Sequence, residues 1–201
     1  RPATLLNGAV MAPTTRPGGY GEFRLDGSND SLEIADDAAF TFTAYTLGAW
    51  VTKTTSTYGA LWGHWSVGAG HVVYLGFPSA GTILVYHDGT TATSAASLFS
   101  LNVPTQILLT WNGSTLTYYI NGLAADSDAF SASMSPPGIT ARWGNLAVEP
   151  LAANLSDCVL YTRALSADEV WALYTDLRLG SPATLNWSTQ RRVHIPAAAD
   201  V

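Results

Sequence analysis

The chain has fifteen acidic residues, but none of them form a Glu-x-Asp-x-x-Glu run, which would place carboxyl groups on alternate residues of one strand. Cleavage of a glycosidic bond requires two carboxyl groups that flank one bond. Glu33 and Asp36 do not alternate along one strand face, and Asp168 and Glu169 open a predicted helix, where acids stabilise the positive end of the dipole. No Gly-x-Ser-x-Gly nucleophile motif is present either. We therefore expect a protein that is not an enzyme.

One polar turn has the residue types of a calcium site. Asp26, Asn29 and Asp30 carry oxygen ligands of the kind that a hard cation prefers. Asp157 would join them if the terminal strands bring it near. The alternative is a turn whose Asx side chains bond their own backbone. Calcium is the only cofactor that the sequence suggests, and both interpretations stay open.

Aromatic side chains form a possible binding face. If the apolar residues of the neighbouring strands face the core, alternation places four rings on the opposite face: Trp62, His64, Tyr74 and Tyr119. Exposed aromatic rings can stack on sugar rings. They can equally be buried against another subunit. We therefore predict a face that contacts either a glycan or a protein partner.

Composition excludes several other functions. Charged residues make up 12% of the chain, the net charge is −6, and Arg191-Arg192 is the only adjacent pair of cations, so we expect no nucleic-acid partner. Cys158 is the only cysteine, which rules out an intrachain disulfide and a cysteine-based zinc site. The sequence contains no run of about twenty apolar residues, so we expect no membrane insertion. The chain opens on Arg1 and not on Met, with no signal segment, so we expect that an initiator, a leader or a longer N-terminal part has been removed.

Residues 105–122 organise the elements that must position these side chains. They contain two strand-like runs in which apolar and polar residues alternate, and each run ends in Asn-Gly. The pairs Asn112-Gly113 and Asn121-Gly122 supply the positive φ angles of tight antiparallel turns. The pattern predicts a hairpin with one apolar face, which a second sheet must cover.

Further strand-like runs, separated by Gly, Ser or Pro, lie on both sides of the hairpin, at 23–34, 40–53, 60–65, 71–77, 82–89, 139–144 and 155–162. Residues 90–104 have the composition of a loop, and residues 123–138 are small and polar. One helix is predicted at Ser166–Tyr174, where Ser166 and Glu169 form a capping box and Val170, Leu173 and Tyr174 face inward. The fold class is therefore all-β: a two-sheet antiparallel sandwich with one short C-terminal helix.

The ends of the chain predict a three-part organisation. Residues 1–22 contain three prolines and a Gly-Gly pair, which break regular elements, so we expect an N-terminal arm. Residues 23–176 form the sandwich domain. Residues 177–201 have mixed polarity and no clear period, and we expect a C-terminal arm.

Four segments, taken in order, resemble the laminin-G-like branch of the concanavalin A-like lectin and glucanase jelly rolls. They are FRLDGSNDSLEI (23–34), FTAYTLGAWV (42–51), ILLTWNGSTLTYYING (107–122) and DCVLYTRALSADEVWALY (157–174). The resemblance covers roughly residues 23–175. It implies a jelly roll of two curved antiparallel sheets, with about six strands each and the N-terminal and C-terminal strands adjacent.

The tail RRVHIPAAA (191–199) resembles those of short jelly rolls encoded by tailed bacteriophages. This resemblance implies a non-enzymatic virion structural protein, either a head decoration protein or a tail-tip or fibre component. Its partners would be other virion subunits, contacted through both arms, and its location would be the virion surface. The alternative is a carbohydrate-binding module or adhesin that binds a cell-surface glycan. A divergent glycosidase or lyase would instead need two convergent carboxylates in a groove.

Overall fold

Two antiparallel sheets and one helix are formed by the residues that the computed structural model describes, which are 4–13, 21–35, 40, 42–64, 73–87, 89–132, 140–146 and 149–178. The strands in chain order are β1 (Thr4–Leu6), β2 (Val10–Ala12), β3 (Glu22–Asp26), β4 (Ser31–Ile34), β5 (Tyr45–Lys53), β6 (Gly59–Gly63), β7 (Val73–Ser79), β8 (Thr82–His87), β9 (Thr90–Thr93), β10 (Thr105–Trp111), β11 (Thr115–Ile120), β12 (Leu123–Ala129), β13 (Ala141–Trp143) and β14 (Ala152–Tyr161); the helix is α1 (Ala167–Arg178). Sheet A has the order β1-β4-β13-β6-β7-β8-β9, and sheet B has the order β12-β11-β10-β5-β14-β3-β2. The predicted all-β sandwich with one short helix is confirmed.

The central hairpin forms as the sequence predicts. β10 and β11 pair antiparallel, with Ile107 opposite Ile120 and Trp111 opposite Leu116. The turns use positive φ angles of 98° at Gly113 and 81° at Gly122. The inward side chains of both strands join the apolar interior between the two sheets. The N-terminal and C-terminal strands are adjacent, as the resemblance implies, because β14 pairs with β3.

Helix α1 covers the outer face of sheet B. The capping box is formed: the Glu169 amide donates to Ser166 Oγ at 3.3 Å, and the Ser166 amide donates to the Glu169 carboxylate at 2.9 Å. Val170 and Leu173 are fully buried against a second apolar cluster on this face. The loop before the helix is fixed by Thr46, whose hydroxyl accepts from the Leu165 amide at 2.8 Å. None of the described helices is long and apolar enough to cross a lipid bilayer.

The described part of the predicted N-terminal arm is not irregular. β1 pairs with β4 and β2 pairs with β3, so the two strands extend one edge of each sheet. Pro13 directly follows β2, and Asn7 and Gly8, with φ angles of 62° and 114°, make the turn between the two strands. Pro13 therefore lies at the end of a strand and does not prevent it.

Two predicted non-strand segments also contain strands. β9 continues from β8 through a turn at Gly89, which has a φ of 90°, and β12 follows the Asn121-Gly122 turn. Both are edge strands with largely exposed side chains, so they lack the apolar alternation that marks the inner strands. In the predicted C-terminal arm, α1 continues to Arg178, and residues 179–201 lie outside the described residues. The division of the chain into two arms and a domain stays a prediction.

Candidate functional site

The four residues of the predicted aromatic face do not lie on one face. Trp62 and His64 are fully buried, and Trp62 belongs to the interior between the sheets. The register of β6 against β7 shifts between Ala60 and Trp62, so Leu61 and Trp62 both turn inward. His64 contacts Phe40, with 5.1 Å between ring centroids. The prediction that Trp62 and His64 are exposed is therefore wrong, because a β-bulge interrupts the alternation.

The other two rings lie on the outer faces of different sheets. Tyr119 is buried in the cluster that helix α1 covers on sheet B. Tyr74 lies on the outer face of sheet A and is 5% exposed. Of the four, only Tyr74 lies on a sheet face that the one described helix does not cover, and there it forms the floor of a group of tyrosines.

The predicted calcium turn is stabilised by its own backbone. Asp26 accepts from the Ser28 amide at 2.7 Å, and Asp30 accepts from the Asp26 amide at 3.0 Å. Asp26 pairs with Ala152, so Asp157 lies five residues further along β14, about 16 Å away at the usual rise of a strand. Among the described residues, no group of three or more His, Cys, Asp or Glu side chains could hold a metal ion. The Asx-turn interpretation therefore fits this segment better than the calcium interpretation.

Three tyrosines, Tyr58, Tyr74 and Tyr86, lie together on the outer side of sheet A. We call this group the tyrosine face. Tyr74 is directly opposite Tyr86 in the pairing of β7 with β8. Tyr58 stacks on Tyr74 with ring centroids 6.2 Å apart and ring planes inclined by 16°. The Tyr74 ring lies flat along its own strand over Gly76, where a Cβ atom would come within 2.3 Å of the Tyr74 hydroxyl oxygen. Glycine at this position is what allows the floor of the face to be flat.

Apolar side chains and hydroxyl groups surround the tyrosine face. Leu84 and Leu146 pack in the same cluster as the tyrosines, and Leu146 lies over Gly63, the last residue of β6. Thr91 and Thr93 on β9 are exposed and lie opposite Tyr86 and Leu84. Tyr58 and Tyr86 are only half-buried, so ring surface and threonine hydroxyls are available on one side of the sandwich. Such a combination suits a ligand that has both C–H faces and hydroxyl groups.

The phenols of Tyr58 and Tyr74 stay protonated. Burial raises the pKa of Tyr74, and the Tyr58 hydroxyl and the Glu149 carboxylate raise it further. Burial also raises the pKa of Tyr58, with Glu149 adding to the effect. The Tyr74 hydroxyl is buried and makes no hydrogen bond of good geometry. The face therefore presents neutral aromatic rings beside one carboxylate.

Several other carboxylates have structural partners. Glu33 binds Arg142 at 3.2 Å, and Asp128 accepts from the Tyr118 hydroxyl at 2.8 Å. The carboxylate of Glu169 takes a bidentate pair of hydrogen bonds from Arg163, which lowers the pKa of Glu169 to about 2. These acids fix strands and the helix start, and their contacts give no pair of carboxyl groups held across a groove.

A comparison with protein families agrees with this architecture. The family model described as the concanavalin A-like lectin/glucanases superfamily matches residues 26–171, which is well over half of the chain. The chain belongs to this superfamily. The predicted family is thus confirmed, whereas the narrower resemblance to bacteriophage virion proteins stays a prediction. A comparison with curated proteins gave no significant match.

Solved structures with the same concanavalin A-like fold include toxin binding domains. The binding domain of botulinum neurotoxin serotype G has a TM-score of 0.68 and 11% identity over 87% of this chain and 46% of its own. The binding domain of Paraclostridial mosquitocidal protein 1 has a TM-score of 0.64 and 15% identity over 90% of this chain and 50% of its own. The binding domain of botulinum neurotoxin DC, in complex with SialylT, has a TM-score of 0.66 and 14% identity over 88% and 46%. The chain spans about half the length of each.

Three residues of this site were not predicted. Tyr86 could have been found, because in TILVYH the buried residues Ile83, Val85 and His87 alternate with it. Tyr58 follows a loop whose path has no periodic signal, and Glu149 lies in the connection between β13 and β14. Both reach the tyrosine face through tertiary contacts alone.

Proposed function

We propose that this protein is a non-enzymatic structural protein of a tailed-bacteriophage particle, a head decoration or tail-tip component, whose sandwich attaches to a cell-surface glycan. The observation that carries the glycan part is the tyrosine face, since α1, the helix in the described part of the chain, covers the outer face of sheet B and not this one. Two half-buried rings on a flat floor offer the stacking surface that a sugar ring needs. Binding domains of toxins are among the proteins that share the fold, which agrees with a function in attachment.

Replacement of Tyr86 or Tyr58 by alanine tests the glycan part. Each change removes a stacking ring at the surface, so we expect glycan affinity to fall by about tenfold while the melting temperature changes little. A glycan array selects the ligand, and isothermal titration calorimetry measures the affinities. Trp62 is unsuitable as a probe, although alternation suggests it, because it is fully buried and its removal would unfold the protein.

The matched control is Trp171→Ala, which removes an aromatic ring that is 46% exposed on helix α1, on the other side of the sandwich. This variant is expected to bind glycans like the unaltered protein. Absence of any glycan ligand on the array, or equal loss of affinity in Trp171→Ala and Tyr86→Ala, would contradict glycan binding at the tyrosine face.

The virion part of the proposal is supported by apolar side chains at the sheet edges. Val10 on β2 and Leu123 on β12 are 53% and 63% exposed, and Leu5 on β1 is exposed as well. Each of these side chains would lose exposed apolar surface if another subunit packed on its edge strand. Residues 4–13 already pair within their own chain. The proposed subunit contacts are therefore made by the exposed apolar side chains and by residues 179–201.

Assembly in solution tests the virion part. We expect the full chain to sediment as an oligomer in analytical ultracentrifugation, and we expect the double variant Val10→Ser, Leu123→Ser to shift toward the 21.3 kDa monomer. The control is Thr91→Ser, a change on an exposed strand that removes no large apolar group. A chain that stays monomeric at every concentration would rule out the proposed subunit contacts.

A further inference from the structure

The charge at the tyrosine face is set by Glu149, which the backbone holds beside β6. The Ala60 amide donates to the Glu149 carbonyl oxygen at 3.0 Å, and the Glu149 amide donates to the Leu146 carbonyl oxygen at 3.2 Å. The Leu146 side chain in turn packs against Gly63. Glu149 is thus anchored beside Ala60, which packs in the same cluster as Tyr74, and its carboxylate raises the pKa of both Tyr58 and Tyr74.

Two described cations, one on β13 and one at the end of β5, already have partners. Arg142 also lies on the outer side of sheet A, but it forms an ion pair with Glu33. Lys53 is 1% exposed, and its ammonium group donates to the carbonyl oxygens of Thr55 and Thr57 at 2.6 Å each. Neither cation is bonded to Glu149, so the carboxylate leaves the tyrosine face with a negative potential.

Aromatic faces and a carboxylate attract the same kind of ligand. The negative face of a phenol ring binds cations, most strongly when they are partly desolvated. A carboxylate near such a ring adds a direct Coulombic attraction. These features disfavour anionic sugars and favour a sugar that carries a positive charge.

We propose that the tyrosine face selects amino sugars with a free, protonated amine, whose ring stacks on Tyr58 or Tyr86 while its ammonium group pairs with Glu149. This selectivity rests on the proposed glycan-binding function of the same site. N-acetylated sugars can stack on the rings but have no cation for Glu149. Uronic acids and sialic acids place a second negative charge beside it.

Calorimetry at pH 6 with four defined probes tests the selectivity: the trimers of glucosamine, N-acetylglucosamine and galacturonic acid, and trilysine. We expect the glucosamine trimer to bind at least tenfold more tightly than the N-acetylated one, and the galacturonic acid trimer to bind most weakly. In Glu149→Gln, the advantage of the glucosamine trimer is expected to disappear, while the affinity for the N-acetylated trimer is unchanged. Asp168→Asn is the control, because it removes an equal charge from an exposed position on helix α1.

The outcomes separate this inference from the function on which it rests. Equal affinities for the two glucosamine trimers, or an unchanged preference in Glu149→Gln, would overturn the selectivity and leave glycan binding in place. If Asp168→Asn loses the preference for the glucosamine trimer to the same extent, that preference comes from net charge, and the role of Glu149 is overturned. Failure of all sugars to bind would remove both proposals, and binding of trilysine alone would assign the face to a basic peptide instead.

Discussion

Replacement of Gly48 by alanine is expected to lower the free energy of unfolding by about 3 kcal/mol, because the added methyl group has no space. Gly48 lies in β5, in the middle of sheet B, where it pairs with Leu108 of β10 on one side and Val159 of β14 on the other. A Cβ atom here would lie 2.0 Å from the Ile107 carbonyl oxygen and 2.8 Å from the Leu108 Cα atom. Both atoms are backbone, so they cannot move without distorting the central hairpin.

Gly89→Ala provides the matched control for this effect. Gly89 has a φ of 90°, and nothing lies within 4 Å of the position that its Cβ atom would take. Its replacement costs only backbone strain, about 1 kcal/mol. Urea denaturation of both variants measures the difference. A Gly48→Ala variant no less stable than Gly89→Ala would show that β5 and β10 are not packed as closely as described.

Acidification from pH 7 to pH 5 is expected to lower the free energy of unfolding by about 2 kcal/mol through His87 alone. The ring of His87 is fully buried between the sheets, with Trp111 and Phe130 at centroid distances of 4.9 and 4.8 Å. Its Nε2 atom shares a hydrogen bond of 2.7 Å with the Tyr45 hydroxyl, and its Nδ1 atom has no hydrogen-bond partner. Burial lowers the pKa of His87 from 6.5 to about 4.

The direction follows from the protons that each state binds. Between pH 6.5 and pH 4 the unfolded chain protonates this imidazole and the folded chain does not, so stability falls as the pH falls. The full effect, reached below pH 4, is about 3 kcal/mol. Glu33 and Glu169 contribute in a lower window, because their pKa values lie below 4.5 and their stabilisation is lost only as the pH falls beneath that value.

The variant His87→Gln separates His87 from every other titrating group. A glutamine amide can still bond the Tyr45 hydroxyl but does not titrate in this range. Between pH 7 and pH 5, the free energy of unfolding of the unaltered protein is expected to fall by about 2 kcal/mol more than that of the variant. Chemical denaturation at several pH values measures both. Identical slopes in the two proteins would contradict a buried, neutral His87.

Local signals in the sequence account for most of the fold. The Asn121-Gly122 turn and the Ser166–Glu169 capping box depend on hydrogen bonds and φ angles within a few residues, so the sequence alone predicts them. The apolar alternation of β10 likewise needs only its own side chains to reveal which face is buried. These elements are predicted correctly because residues that are close together along the chain determine them.

The candidate site was harder to predict because it depends on contacts between distant segments. A one-residue bulge in β6 moves Trp62 from the predicted outer face into the interior. The residue types of that strand do not predict the bulge. Tyr58 reaches Tyr74 only because β6 and β7 are neighbours in sheet A. The edge strands β1 and β9 likewise become recognisable only when a partner strand is present, since their own side chains are largely exposed.

The outermost strands determine how copies of this molecule behave when crowded. β1 and β2 have three residues each and β9 has four, too few to template a long ladder with another chain. The longer edge strand β12 carries Asp126 and Asp128, whose carboxylates bond groups of their own chain, the Ala95 amide and the Tyr118 hydroxyl. Dense arrays of these sandwiches can therefore remain free of amyloid-like fusion between adjacent sheets.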